Sequence, residues 1–280
     1  MDRTMLKIPA WPGLVVLLAG LVLVPLPSMA WLSRYPLFAA VLENSAHPVV
    51  FAALAWVAGR SVRRPWWVFG LAAFLGGATE VVQSFIGRDA SWVDFGNDLL
   101  GAGFALSWSA WRARPQRRVW LGVAGLYAGL AVAPMVLTGA AYAHRAAAFP
   151  VLWTEGAWLD RPFASLQGLP YPGFSLDEPV ADWRGFRSLQ VEVVSESDEA
   201  ITVTLRVHDG AHRFEYTDRY NESFRLAPRS RQVIEVPLSR IAQAPQGRTM
   251  DLSDVRGVML FRQADDAAHT VTVRTIRLVR

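Results

Sequence analysis

Up to residue 143 the sequence is a succession of long apolar segments, and this limits what the chain can fold into more than any other feature. A bilayer core of about 30 Å is crossed by roughly 20 residues of helix, because lipid offers backbone amides no partner outside their own helix. Five segments answer that description, near 11–33, 45–60, 65–86, 93–111 and 119–143. The second is short and is expected to draw on its flanks. The sequence therefore predicts an α-helical membrane bundle of about five transmembrane helices over residues 1–143.

Charge orients these spans. Residues 1–143 carry 11 Lys and Arg against 6 Asp and Glu, whereas residues 144–280 carry 17 Arg, no Lys and 18 acids. The formal charge of +4 thus comes from the first half. Arg3 and Lys7 precede the first span; Arg60, Arg63 and Arg64 follow the second; Arg112, Arg114, Arg117 and Arg118 follow the fourth. All nine fall on one side, against Arg34 and Arg88 on the other. The positive-inside rule places the N-terminus in the cytoplasm and the C-terminal half outside it, in an inner (cytoplasmic) membrane protein with an extracytoplasmic or periplasmic domain. Basic residues gathered in short loops argue for this topology and against nucleic acid as a partner. Arg3, Lys7 and Ser28-Met29-Ala30 also resemble a cleaved leader, but the apolar run is long for one, and either reading leaves the topology unchanged. With no cysteine, disulfides and thiolate metal sites are excluded.

A few ionisable groups interrupt the apolar half. Glu43 and His47, at i and i+4, share a face where the second span begins. Glu80 and Gln83 lie near the outer end of the third, with Glu80 about 9 Å short of Ile86 along the helix. Arg88 follows in the loop, and Asp94 and Asp98 share a face at the start of the fourth. On the predicted topology all seven converge near the outer surface as a polar pocket. A carboxylate in a span costs about 2.5 to 3.5 kcal/mol on insertion scales, so these groups need a partner or a role. Three readings fit. Arg88 pairs with Asp94 or Glu80 as a loop staple; the pocket binds a polar headgroup; or the acids and His47 serve a metal-dependent or acid–base enzyme. No compact ligand motif or nucleophile elbow supports the last. Gly76, Gly77, Gly101 and Gly103 are expected to let the third and fourth spans approach closely.

Glu43, His47 and Phe51, then Thr79-Glu80-Val-Val-Gln83-Ser-Phe85, Gly87-Arg88, Ser91, Asp94 and Leu99-Leu100-Gly101 together resemble the VanZ-like membrane proteins, over about residues 30–112. Where that family carries Asn four residues after the Asp, this chain has Asp98, preceded by Asn97. The resemblance implies a cell-envelope membrane protein, in a family named for a member linked to glycopeptide antibiotic resistance.

After His144 the texture changes to short alternating runs. Leu189–Val193, Ile201–Val207 and Val271–Ile276 alternate with period two, and Gln232–Val236 and Val255–Phe261 add two more strands. Strands separated by turn signals predict an all-β sandwich over 144–280. Asp182-Trp183-Arg-Gly185-Phe186, Leu205-Arg206-Val-His208-Asp209, Tyr216-Thr-Asp218-Arg219-Tyr220-Asn221, Ile234-Glu-Val-Pro-Leu238 and Ala244-Pro245-Gln-Gly-Arg248-Thr-Met250-Asp251-Leu252 resemble in their order the galactose-binding-like jelly rolls of carbohydrate-binding modules. His208, Asp209, His212, Arg213, Tyr216, Asp218 and Arg219 crowd one strand–loop–strand segment. Aromatic faces beside planar polar groups suit a sugar, while an Arg/Asp network fixing a long loop accounts for the same residues. The resemblance makes a structural Ca²⁺ conceivable, with Asp160 and Glu178 as acids on hand, although their spacing fits no calcium loop. The expectation is an envelope protein, more a binder than an enzyme, that meets membrane lipids and takes a glycan, glycolipid or peptidoglycan precursor at the outer leaflet. A membrane enzyme acting on a lipid-linked phosphate or sugar, and a structural anchor for an interaction domain, are the alternatives.

Overall fold

A computed structural model describes residues 32–62, 64–85, 91–168, 171–213, 215–262 and 271–280. The first expected span falls almost wholly outside the described residues, as does Arg88. The chain divides between Leu137 and Thr138 into two compact units.

In the first unit a short 3-10 turn, Leu32–Arg34, leads into helices α1 (Pro36–Ser61), α2 (Pro65–Phe85), α3 (Trp92–Ala113) and α4 (Val119–Ala148), the last of which runs on into the second unit. Helix α1 has 26 residues and starts well before residue 45, so Glu43 and His47 lie within it and not at its beginning. Pro36 explains the early start: at the first helical position its fixed φ suits the helix and its missing N–H costs nothing. Pro48 sits inside the same helix and frees the carbonyl of Asn44 four residues back. Asn97 of α3 supplies the missing donor, its Nδ2 lying 3.4 Å from that oxygen. Helix α3 is capped by Ser91, whose Oγ accepts the amide of Asp94 at 3.2 Å.

Val50, Phe51 and Ala55 of α1, Val68 and Ala72 of α2, and Ala102 and Ala105 of α3 form the helical core. The glycines do not all work as expected. A Cβ on Gly76 would stand 2.7 Å from Asp98 Oδ2, so this residue does let α2 and α3 close up. Gly101 faces α1 instead, 2.0 Å from the Pro48 carbonyl oxygen by the same construction, Gly103 faces the Tyr127 ring of α4, and Gly77 meets nothing within 4 Å. Helices α1, α2 and α4 are long and apolar enough to cross a membrane. Helix α3 matches them in length with 22 residues, but Asp94, Asn97 and Asp98 make it too polar to qualify by composition.

The second unit is an antiparallel sandwich. One sheet has four strands in the order β1-β9-β4-β7, the other five in the order β2-β3-β8-β5-β6. Their ranges are β1 Val151–Thr154, β2 Ala164–Gln167, β3 Gly173–Asp177, β4 Ser188–Ser195, β5 Ile201–Asp209, β6 Tyr220–Leu226, β7 Arg231–Pro237, β8 Val255–Phe261 and β9 Val271–Val279. A short helix, α5 (Leu238–Ala242), follows β7. Among the nine strands only β2–β3 and β5–β6 stay within one sheet, and every other connection passes to the opposite sheet, the crossing pattern of a jelly roll. Leu189, Val191, Val203, Leu205, Val207, Val258, Leu260, Ile276 and Leu278 are buried between them, with Trp183 fully enclosed. Five strands coincide with the alternating runs of the sequence. The other four are short or polar, like β2 with its single large apolar residue.

The final turns of α4 belong to this unit. The Tyr142 hydroxyl donates to Glu178 Oε2 at 2.5 Å, its ring meets Phe163 edge-on, and the Arg145 guanidinium lies 4.0 Å over the same ring. These last turns, from Thr138 on, thus pack as part of the second unit.

Candidate functional site

Two clusters carry the chemistry, one in each unit. In the helical unit His47 Nδ1 stands 2.9 Å from Asp98 Oδ1, and Asp98 is 0% exposed. Glu80 Oε2 accepts the amide of Ser91 at 2.5 Å. Glu80 and Asp94 lie near enough for their charges to act on both His47 and Asp98. The fold thus gathers Glu80, Asp94, Asp98 and His47 from α1, α2 and α3, and buries Gln83 on α2. Glu43 is half-buried and makes no hydrogen bond or ion pair among the described residues. Glu80 Oε1, Asp94 Oδ1 and Asp98 Oδ2 are buried without a hydrogen-bond donor. Such oxygens suit an ammonium, a hydroxyl or a proton. Among the described residues no group of three or more His, Asp or Glu side chains is placed to hold a metal ion.

In the sandwich, the strand–loop–strand segment sorts into two layers. Beneath lies a knot on Arg248, thirty residues beyond Asp218 in sequence. Its Nη1 and Nη2 donate to Asp209 Oδ2 and Oδ1 at 2.6 and 2.8 Å, and its Nε donates to Asp218. The amide of Asp251 donates to Asp209 Oδ2 at 2.8 Å, and that of Arg213 to Asp218 Oδ2 at 2.8 Å. Burial works to raise the Asp209 carboxyl, but Arg248 and the Asp251 amide outweigh it and hold the group below the usual carboxylate range. Arg248 and the Arg213 amide do the same for Asp218. Both acids are committed to fixing the loop.

Above the knot, on the outer face of the five-stranded sheet, lie the other residues. Strand β5 buries Val203, Leu205 and Val207, which turns Thr204, Arg206 and His208 outward. Arg206 stands between Asn221 of β6 and Met259 of β8, and Thr204 between Ser223 and Phe261. Tyr171 closes on Phe261 edge-on, with centroids 5.7 Å apart. His212 Nδ1 lies 3.0 Å from the Asp218 carbonyl and its Nε2 lies 3.3 Å from Arg206 Nη2; donating to the one and accepting from the other, the ring is neutral. Burial, then Arg206, His212 and Arg219, push the His208 imidazole down to about 4, so it too is neutral near pH 7. Arg219 Nε donates to Asn221 Oδ1 at 3.2 Å, and its guanidinium lies 5.5 Å from the exposed Tyr216 ring. Arg213 is exposed, with its backbone in the knot.

Arg206, Tyr171, Met259 and Phe261 escape a reading that stays within one stretch of sequence. The outward parity of β5 marks Arg206; nothing local marks Arg248 as the partner of two acids so far away. Asp160 and Glu178, the acids on hand for calcium, are each engaged by side chains of α4. Glu178 takes the Tyr142 hydroxyl, and Asp160 lies beside Arg145 and 3.9 Å from His144 Nε2.

No family model and no curated protein matches the chain. Similar solved structures include the family 11 carbohydrate-binding module of Clostridium thermocellum in complex with a β-1,3-1,4-mixed-linked tetrasaccharide, 19% identical over 39% of this chain and 68% of that one, with a TM-score of 0.30. A family 36 carbohydrate-binding module in complex with calcium and xylotriose is 14% identical over 41% of this chain and 77% of that one, with a TM-score of 0.25. A family 43 arabinoxylan arabinofuranohydrolase of Bacillus subtilis is 13% identical over 42% of this chain and 20% of that one, with a TM-score of 0.24. Similarity of this degree assigns neither ligand nor activity.

Proposed function

We propose that the chain is a multi-pass envelope membrane protein whose extracytoplasmic sandwich binds a glycan on the outer face of its five-stranded sheet. The observation that carries this reading is the pairing of the Tyr171–Phe261 rings with planar and hydroxyl donors on adjacent strands, Arg206, Thr204 and Ser223. A pyranose presents an apolar C–H face and a rim of hydroxyls, and so needs both kinds of contact at once. Phe261 and Arg206 are diagonal neighbours across β8 and β5, about 7 to 8 Å apart, which leaves room for one ring between them.

The VanZ-like resemblance of residues 30–112 supports placing the helices in the cell envelope, and so do the exposed apolar side chains of α1, α2 and α4, such as Val49, Phe74 and Leu126, which suit lipid better than water. The helical cluster is then a site for the headgroup of a glycolipid or cell-wall precursor at the outer leaflet. Its described members are acidic apart from His47 and Gln83, which favours an amine or hydroxyl over a phosphate. A role in glycopeptide resistance is the family's implication for this unit, and sensitivity of cells carrying Asp98→Leu would test it.

The test of the sandwich reading is calorimetric titration of the purified full chain in detergent with a panel of neutral and acidic oligosaccharides. Saturable binding to at least one, weakened tenfold or more by Tyr171→Ala or Phe261→Ala, is expected from the loss of a stacking ring. Binding to none, or binding indifferent to both substitutions, would remove the site from this face.

A further inference from the structure

Among the described residues, the outer face carries two half-buried guanidiniums near one another, with no carboxylate bonded to either. Arg206 is fixed by the strand register opposite Asn221. Arg219 immediately precedes β6, and its Nε donates to Asn221, the residue opposite Arg206, which brings the two arginines to one end of this face. Each arginine is held in place by a neutral group: Arg206 by His212 at 3.3 Å, Arg219 by Asn221 at 3.2 Å. Arg206 Nε is buried with no hydrogen-bond partner. Of the nearby acids, Asp209 and Asp218 are both taken by Arg248 in the layer beneath. Among the described residues the charge that bears on Arg206 is that of Arg219, and the group that bears on Arg219 is the Tyr216 phenol.

Burying like charges together is unfavourable unless an anion joins them. A guanidinium is built to meet planar or tetrahedral oxyanions with two parallel bonds, and two of them converging define such a site better than one. The Tyr216 ring beside Arg219 and the Tyr171–Phe261 pair flank the arginines with apolar surface.

Resting on the reading of this face as a glycan site, we infer that its ligand is an acidic glycan, whose carboxylate, sulfate or phosphate is received between Arg206 and Arg219. Neutral oligosaccharides then lack the group for which the two charges are arranged.

The experiment is titration of the full chain in detergent with oligogalacturonate, with its methyl ester, with a sulfated oligosaccharide and with the desulfated form of the latter. An acidic form should bind at least about tenfold tighter than its neutral counterpart, as expected for a charge-assisted bidentate contact. Whichever of the two acidic probes binds tighter distinguishes a planar carboxylate from a tetrahedral oxyanion. Arg206→Gln and Arg219→Gln should each erase most of the preference, and raising salt to 0.5 M should weaken the acidic ligand alone. The ester comparison uses the unaltered chain, so it stands even if a variant fails to fold. Equal affinity for acidic and neutral forms would overturn the inference and leave the glycan site in place. Failure of every oligosaccharide to bind would overturn both.

Discussion

Arg248 answers two acids at once, and that shows what single residues decide here. Asp209 is 1% exposed, and removing its guanidinium partner leaves a buried carboxylate uncompensated, a loss of about 3 to 5 kcal/mol. Arg248→Met should lower the thermal midpoint of the sandwich by several degrees, with partial recovery when Asp209 is also changed to Asn. No recovery in the double variant would mean that Arg248 acts through packing alone. His208 gives the same loop a pH dependence. Burial, together with Arg206, His212 and Arg219, lowers its folded value to about 4, below the 6.5 or so of an unfolded chain. The unfolded state therefore takes up the proton first. Stability from this residue is full above about pH 6.5 and is lost as the pH falls towards 4, by up to about 3 kcal/mol. Denaturation midpoints followed from pH 7 to 4 should fall, and His208→Phe should flatten the fall.

At the scale of elements, helices α1 and α3 are fitted to one another at a proline and a glycine. Pro48 frees a carbonyl that Asn97 takes, and the Pro48 oxygen itself lies where a Cβ on Gly101 would be, at 2.0 Å. Backbone meets backbone here, so no side chain can give way. Gly101→Leu should cost about 1 to 3 kcal/mol or more through overpacking, while Gly77→Leu, with nothing within 4 Å of its Cβ, should be nearly neutral. Thermal unfolding of the two variants in detergent compares them directly, and equal midpoints would contradict the packing described. Gly76 and Asp98 show the same economy of space between α2 and α3. A small residue there leaves room for a carboxylate that pairs with His47 on α1.

For the whole molecule, the proposed topology puts the loop after α3 in the cytoplasm and the sandwich outside it, and labelling tests that proposal. The chain has no cysteine, so single cysteines report cleanly. Cysteine at Glu199, in the β4–β5 turn, should react with a membrane-impermeant maleimide in cells whose outer membrane, if they have one, has been opened. Cysteine at Arg117 should react only after lysis. The reverse pattern would invert the topology.

Much of this was legible in the sequence because it rests on local pattern. Long apolar runs marked α2, α3 and α4 to within a few residues at most ends, because hydrophobic length is a property of contiguous sequence. Period-two alternation marked β4, β5, β7, β8 and β9, since each has one face turned to the core. Strands β1, β2, β3 and β6 carry too few apolar residues in alternation to announce themselves. Helix α1 was foreshortened because Pro48 and the polar residues before it look like a boundary, and only packing against α3 carries the helix through. Contiguous sequence carries the division into a helical half and a β half and their charge asymmetry, since these follow from which side chains shun water. The tertiary structure alone decided which polar groups meet: His47 with Asp98, Arg248 with Asp209 and Asp218, and Arg206 with Arg219 on one open face. Those partners lie on separate elements, and only the register of strands and the close crossing of helices brings them together.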